Sequence, residues 1–191
     1  MNLEYTPRRE GGLSLLQSGK LLDAYPALRT DFGTLSRASY MIELTEVLFP
    51  TGVADKGMFE LLKGSLESLA RGTAPDLSML LFEARALALG GYAIRTGRCC
   101  CCGRSYTGRG TAVFRPDRGG IACLRCQEES TKTPPLRPSG VRALQSMQEG
   151  AVCDCADLPL TDEEIGELRA VLRLHREYRL ERRLKTSRYV E

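Results

Sequence analysis

The sequence predicts an α+β protein: a mainly helical core, a cysteine-bounded hairpin inserted into it, and a short β element ahead of it. Three observations carry this. Apolar residues recur at helical spacing in several stretches between residues 34 and 180. Two C-x₂-C pairs bracket a strand–turn–strand pattern between Cys99 and Cys126. Leu3 and Tyr5 alternate with polar residues at the N-terminus.

Residues 1–17 read as a β unit in which a turn at Arg8-Arg9-Glu10-Gly11-Gly12 separates the alternating start from Leu13 to Leu16. An isolated hairpin is marginal in water, so it must pack on the helices or pair with further strands. Residues 34–49 place Leu35, Ala38, Ile42, Thr45 and Phe49 on one helical face, and Pro50 stops the helix. Residues 55–71 repeat the pattern with Met58, Leu62, Leu66 and Leu69, and Gly72 lies past the end. From Pro75 to Leu89 the chain is apolar on most sides, at Leu77, Leu80, Leu81, Ala84, Leu87 and Ala88. That marks the central buried helix, ended by Gly90-Gly91.

Residues 127–138 are polar, contain Pro134-Pro135 and read as a linker. Ser139 is placed to cap a short helix through Glu149, with Val141, Leu144 and Met147 on one face. Cys153 and Cys155 follow in a loop as spare thiols. The last helix opens on a capping box, Thr161-Asp162-Glu163-Glu164. Leu168, Val171, Leu172, His175 and Tyr178 share one of its faces, and Arg169, Arg173, Arg176 and Arg183 share another. That stripe is either a solvated face or a phosphate-contacting ridge.

The cysteine pattern is Cys99-x₂-Cys102-Gly103, twenty further residues, then Cys123-x₂-Cys126. It fits a four-cysteine zinc site. Each C-x₂-C turn presents two sulfurs to one ion, and Zn²⁺ accepts four thiolates tetrahedrally at ~2.3 Å. Ala112 to Phe114 and Ile121 to Cys123 read as strands around a Pro116–Gly120 turn, so the second pair folds back beside the first, as in a zinc ribbon. A unit this small has almost no core, and structural zinc supplies about 10–16 kcal/mol of folding energy to such units. Four cysteine ligands leave no open position for a substrate or an activated water.

Charge distribution says more than the net +3. Between residues 95 and 126 there are seven arginines, no lysine, and one acid, Asp117. Arg forks favour bidentate phosphate contact. The residues singled out for nucleic-acid contact are Arg98, Arg104, Arg109, Arg115, Arg118 and Arg125 around the hairpin, with Arg169, Arg173 and Arg176 on the last helix. Tyr106 and Phe114 are available for stacking or packing. With no base-reading helix motif, little sequence specificity is expected.

Enzymatic machinery is hard to find. His175 is the only histidine and falls on an apolar helix face, as a packed residue would. The sequence contains no H-E-x-x-H, no G-x-S-x-G and no G-x-x-x-x-G-K-[ST], and no H-x-E precedes a P-C-x₂-C. Arg98 and Arg104 beside Cys99 and Cys102 would favour thiolates, which keeps a dithiol redox protein as one alternative. A zinc-stabilised scaffold that binds only protein is the other. The N-terminus lacks a secretory pattern, and the most apolar stretch, 77–94, is interrupted by Glu83 and Arg85. Eight cysteines without an export signal fit metal binding in a reducing cytosol.

Several short motifs, in order, resemble the RecO family of bacterial recombination mediators. They are Ala24-Tyr25-Pro26-Ala27-Leu28-Arg29, Tyr40-Met41-Ile42-Glu43-Leu44, Phe82-Glu83, and Leu89-Gly90-Gly91-Tyr92. Cys99-x₂-Cys102-Gly103, Gly119-Gly120-Ile121-Ala122-Cys123-x₂-Cys126 and Arg183-Leu184-Lys185-Thr186-Ser187-Arg188 complete the set. The resemblance implies a non-enzymatic DNA-repair protein with structural Zn²⁺ on Cys99, Cys102, Cys123 and Cys126. Such proteins bind single- and double-stranded DNA and anneal complementary strands. They also contact the C-terminal tail of single-stranded DNA-binding protein (SSB), and with RecR help RecA load. A cytoplasmic, nucleoid-associated location goes with that role. Family members begin with an OB barrel, so residues 1–22 are expected to be its last strands, in a chain that starts inside the barrel through truncation or a misassigned start. The expected division continues with a helical core at 23–94, the zinc hairpin at 95–130, and helices at 131–191 completing the core.

Overall fold

The computed structural model describes residues 2–7, 13–72, 75–150 and 160–190. The turn at residues 8–12 and the Cys153/Cys155 pair lie outside them. The described residues form five α-helices and two small antiparallel sheets.

Strands β1 (Asn2–Thr6) and β2 (Leu15–Lys20) pair antiparallel, with an irregularity between Glu4 and Tyr5. Every residue of both strands is exposed, Leu3, Tyr5, Leu15 and Leu16 included. The hairpin therefore does not pack on the helices. A 3₁₀ turn, Pro26–Arg29, leads to helix α1 (Phe32–Leu48), which begins two residues before the expected start. The reason is a cap the apolar pattern does not show: Asp31 accepts from the Thr34 amide at 2.9 Å. The buried face also differs from expectation. Tyr40, Met41 and Leu44 point inward, whereas Leu35 and Ile42 are exposed. Two apolar stripes run along α1, and packing selected the one that carries Tyr40.

Helix α2 (Lys56–Ala70) is capped by Asp55, which accepts from the Met58 amide at 2.7 Å, and buries Met58, Leu61 and Leu69. Helix α3 (Pro75–Leu89) is the central helix, as its all-round apolarity predicts. It packs against α1 and α2, and also against α4 (Pro138–Glu149) and α5 (Asp162–Leu180). Arg137 occupies the N-cap of α4 without a side-chain bond, and Pro138 takes the first turn. Ser139 is not the cap; its hydroxyl donates instead to Glu164 of α5. On α5 the capping box is present: the Glu164 amide donates to Thr161 Oγ1 and the Glu164 carboxylate accepts from the Thr161 amide.

The second sheet has the order β4-β3-β5, built from β3 (Ala112–Arg115), β4 (Gly120–Cys123) and β5 (Pro135–Leu136). Strands β3 and β4 are the expected hairpin, with Phe114 opposite Ile121 and Ala112 opposite Cys123. Strand β5 corrects the linker reading. Two prolines do not prevent a two-residue edge strand, and Leu136 beyond them is fully buried. Ala112, Phe114, Ile121 and Leu136 join the same core cluster as Met41, Leu87, Leu144 and Leu168. The sheet thus draws on the helical core for its burial.

Candidate metal centre and basic face

The segment entering the first cysteine pair is held like an extra strand. Arg95 exchanges backbone bonds with Gly119 and Ile121, both at 3.0 Å, and the Cys100 amide donates to the Ile121 carbonyl at 2.7 Å. Behind it, the Gln148 side chain of α4 accepts from the Ile94 amide (2.6 Å) and donates to the Ile94 carbonyl (3.1 Å). Gln148 thus positions the first cysteine knuckle from 54 residues away, and nothing in its sequence context announced it.

The knuckle closes when the Gly103 amide donates to the Cys99 carbonyl at 2.9 Å, with Gly103 at φ +73°. The second knuckle closes through the Cys126 amide on the Cys123 carbonyl at 2.9 Å. Register does the rest, because Cys123 ends β4 beside the first knuckle. The sulfurs of Cys99, Cys102, Cys123 and Cys126 all lie within 4.8 Å of one another, and Cys102 and Cys123 are 3.9 Å apart. Tetrahedral zinc with bonds of ~2.3 Å requires sulfur–sulfur edges of about 3.8 Å.

The donor set fits a metal in a second way. Cys99 Sγ accepts from the backbone amides of Cys102 (3.5 Å) and Cys123 (3.4 Å). Burial pushes the Cys99 thiol up, but the amides of Cys102, Cys123 and Cys101 outweigh it and bring the group down to about 6. Cys126 is pushed up to about 12, chiefly by its hydrogen bonds with Cys123 and Cys102. One sulfur is prepared as an anion while another is held protonated by hydrogen bonds with its neighbours. A divalent cation relieves that conflict.

The arginines divide into three groups. Arg98, Arg104, Arg109 and Arg125 around the knuckles are exposed, as is Arg173 on α5, and no ion pair engages any of them among the described residues. Arg115 and Arg118 are both drawn to Asp117, at 2.7 and 4.0 Å, and Arg169 lies 3.6 Å from Asp76. Arg176 corrects the sequence reading. It is 3% exposed, pairs with Glu83 at 3.0 Å and donates to the Tyr40 hydroxyl, so it belongs to the interior. The arginine stripe drifts around α5, and its Arg176 end turns under α1 and α3. Phe114 is likewise fully buried and unavailable for stacking, while Tyr106 is half-buried and donates its hydroxyl to the Gly110 carbonyl.

His175 is packed, as expected. It is 1% exposed, sits edge-on to Phe114, and its Nε2 lies 2.6 Å from the Tyr92 carbonyl. Tyr178, expected on the same inward face, is half exposed. No helix of the described residues is long and apolar enough to cross a membrane.

Fold and site together define a helical protein whose small sheet carries a cluster of four cysteines able to hold a metal ion, beside exposed arginines. Comparison with known proteins narrows this class. The profile described as "Recombination protein O C terminal" matches residues 29–188, and the chain belongs to that family. Among its relatives, "DNA repair protein RecO" of Anaeromyxobacter sp. (strain K) is 30% identical over 191 residues, covering all of this chain and 75% of that protein. "DNA repair protein RecO" of Moorella thermoacetica is 29% identical over 178 residues, 93% of this chain and 66% of its own length. The namesake of Desulforudis audaxviator is 32% identical over 137 residues, 72% of this chain and 54% of that protein. Homology thus supports a role in DNA repair and recombination.

Proposed function

We propose that this chain is a non-enzymatic DNA-binding and strand-annealing recombination mediator whose Cys99, Cys102, Cys123 and Cys126 hold one structural zinc ion in a ribbon-like hairpin. It acts with RecR and the C-terminal tail of SSB to help load RecA, in the cytoplasm and on the nucleoid. Residues 1–22 are read as the last strands of an OB barrel, followed by a helical core at 23–94, the zinc hairpin at 95–130 and completing helices at 131–191. The observation that carries the DNA reading is the set of exposed arginines, Arg98, Arg104, Arg109 and Arg125, around the two knuckles, none of which makes an ion pair among the described residues. Zinc fixes the two knuckles relative to each other, and the guanidinium groups meet phosphates without first breaking an internal ion pair.

Fluorescence anisotropy with labelled single strands and duplexes tests this. Affinity should fall steeply with salt, and each Arg→Ala change at 98, 104, 109 or 125 that removes a duplex phosphate contact should flatten the log–log slope by about one unit. Salt-independent binding, or slopes untouched by all four changes, would point to the protein-only scaffold. Strand-annealing assays with SSB-coated DNA test the mediator role. The convergence of four sulfurs favours a metal centre over a dithiol redox pair.

A further inference from the structure

Four consecutive cysteines open the centre, but only Cys99 and Cys102 belong to the four-sulfur cluster. Cys100 and Cys101 occupy the tip of the first knuckle. Their sulfurs are 4.0 Å apart, with Cys101 exposed and Cys100 half-buried, its Sγ 3.9 Å from the Gly120 carbonyl. Both line an open cleft of about 870 Å³ together with Arg98, Ala88 and Gln145. A small reagent reaches them without entering the core.

Geometry decides what such a pair does. Adjacent Cα atoms are held about 3.8 Å apart, below the ~4.4–6.8 Å window of ordinary disulfides, so a direct S–S bond would be strained. A single soft atom bridging the two is different. Two bonds of ~2.3 Å, as thiolates make to soft centres, set at the roughly 95–100° angle of a pyramidal trivalent centre, hold their sulfurs about 3.4 Å apart, so a small side-chain rotation of the exposed Cys101 closes the observed 4.0 Å gap. We propose that Cys100 and Cys101 form a second, two-sulfur site on the same knuckle, which captures thiol-seeking trivalent arsenicals. The capture is a condensation without electron transfer: two S–H bonds and the As=O bond break, two As–S bonds form, and the oxygen leaves as water with both protons. The proposal rests on the reading of the other four cysteines as zinc ligands, which keeps them out of the reaction.

The test uses the full chain, zinc-loaded and reduced, with Cys153→Ser and Cys155→Ser introduced to remove the remaining thiols. Zinc content is measured first, then phenylarsine oxide is titrated while native mass spectrometry follows adducts and a chromogenic chelator follows zinc release. The expected result is one adduct per chain, formed with loss of one water and with zinc retained. Adding Cys100→Ser and Cys101→Ser together should abolish the adduct and leave zinc in place. Either change alone should weaken capture by on the order of a hundredfold, through loss of the chelate. The proposal is overturned if zinc-loaded protein forms no adduct, if zinc leaves in proportion to the adduct, or if the adduct survives the Cys100/Cys101 double change. A starting protein that holds no zinc defeats the structural-metal reading instead, before any reagent is added, and removes the separation between the two sulfur sets with it.

Discussion

At the scale of single residues, His175 and the Arg176–Glu83 pair show how polar groups are accommodated inside a mostly apolar core. Burial pushes the His175 imidazole down to about 4, so the ring is neutral and its Nε2–H donates to the Tyr92 carbonyl, with no partner for Nδ1 among the described residues. Unfolded chains protonate near the reference value of 6.5, so the unfolded state takes up the proton first as pH falls. The contribution is complete above pH 6.5 and is lost as pH drops toward 4, by up to about 3 kcal/mol. Urea denaturation at several pH values should show this loss in the wild type. His175→Gln, which keeps a donor for Tyr92, should show a shallower slope over the same range, and identical slopes would contradict the assignment. Arg176→Met removes the guanidinium that faces the buried Glu83 carboxylate at 3.0 Å and the Tyr40 hydroxyl, and should cost about 3–5 kcal/mol. Replacing Arg176 and Glu83 together by leucine should cost far less than the sum of the single changes.

At the scale of elements, what the sequence made legible depended on whether the deciding partner lay nearby in the chain. Both knuckles, the β3–β4 hairpin, the bounds of α3 and the capping box of α5 rest on local chemistry, and each was readable. The inward face of α1, the buried fate of Arg176 and the strand at Pro135–Leu136 depend on what packs against them across the fold. Periodicity cannot rank two apolar stripes on one helix. The motifs behind the family resemblance also gain a physical meaning: they meet one another. Glu43 accepts from the Lys185 and Thr186 amides, both at 2.9 Å, and Tyr40, Glu83 and Arg176 join α1, α3 and α5. Gly119 belongs to this scale too. Its φ is +56°, and the Arg179 guanidinium of α5 fills the space a Cβ would need. Gly119→Ala should lower stability by at least about 1–2 kcal/mol, seen as a reduced melting temperature, because it strains the turn and displaces Arg179. An unchanged melting temperature would mean the turn relaxes freely.

For the whole molecule, the shared core ties the four-cysteine cluster to the fold. Ala112, Phe114 and Ile121 of the cysteine-bearing sheet are buried with residues of α1, α3, α4 and α5. Removing the metal should therefore destabilise the helices along with the hairpin. Calorimetry after chelation should show one transition moved to lower temperature, whereas an unchanged helical transition beside a lost minor one would mean that the hairpin folds apart. The exposed β1–β2 hairpin shares no burial with this core, so Leu15→Ser or Leu16→Ser should leave the main transition within about 0.5 kcal/mol of wild type.

Zinc-edge X-ray absorption on the purified chain tests the central claim most directly. The predicted spectrum is one zinc per chain in a shell of four sulfurs at ~2.3 Å, lost when any of Cys99, Cys102, Cys123 or Cys126 becomes serine. A mixed shell containing nitrogen or oxygen, or a zinc content far below one per chain, would contradict it.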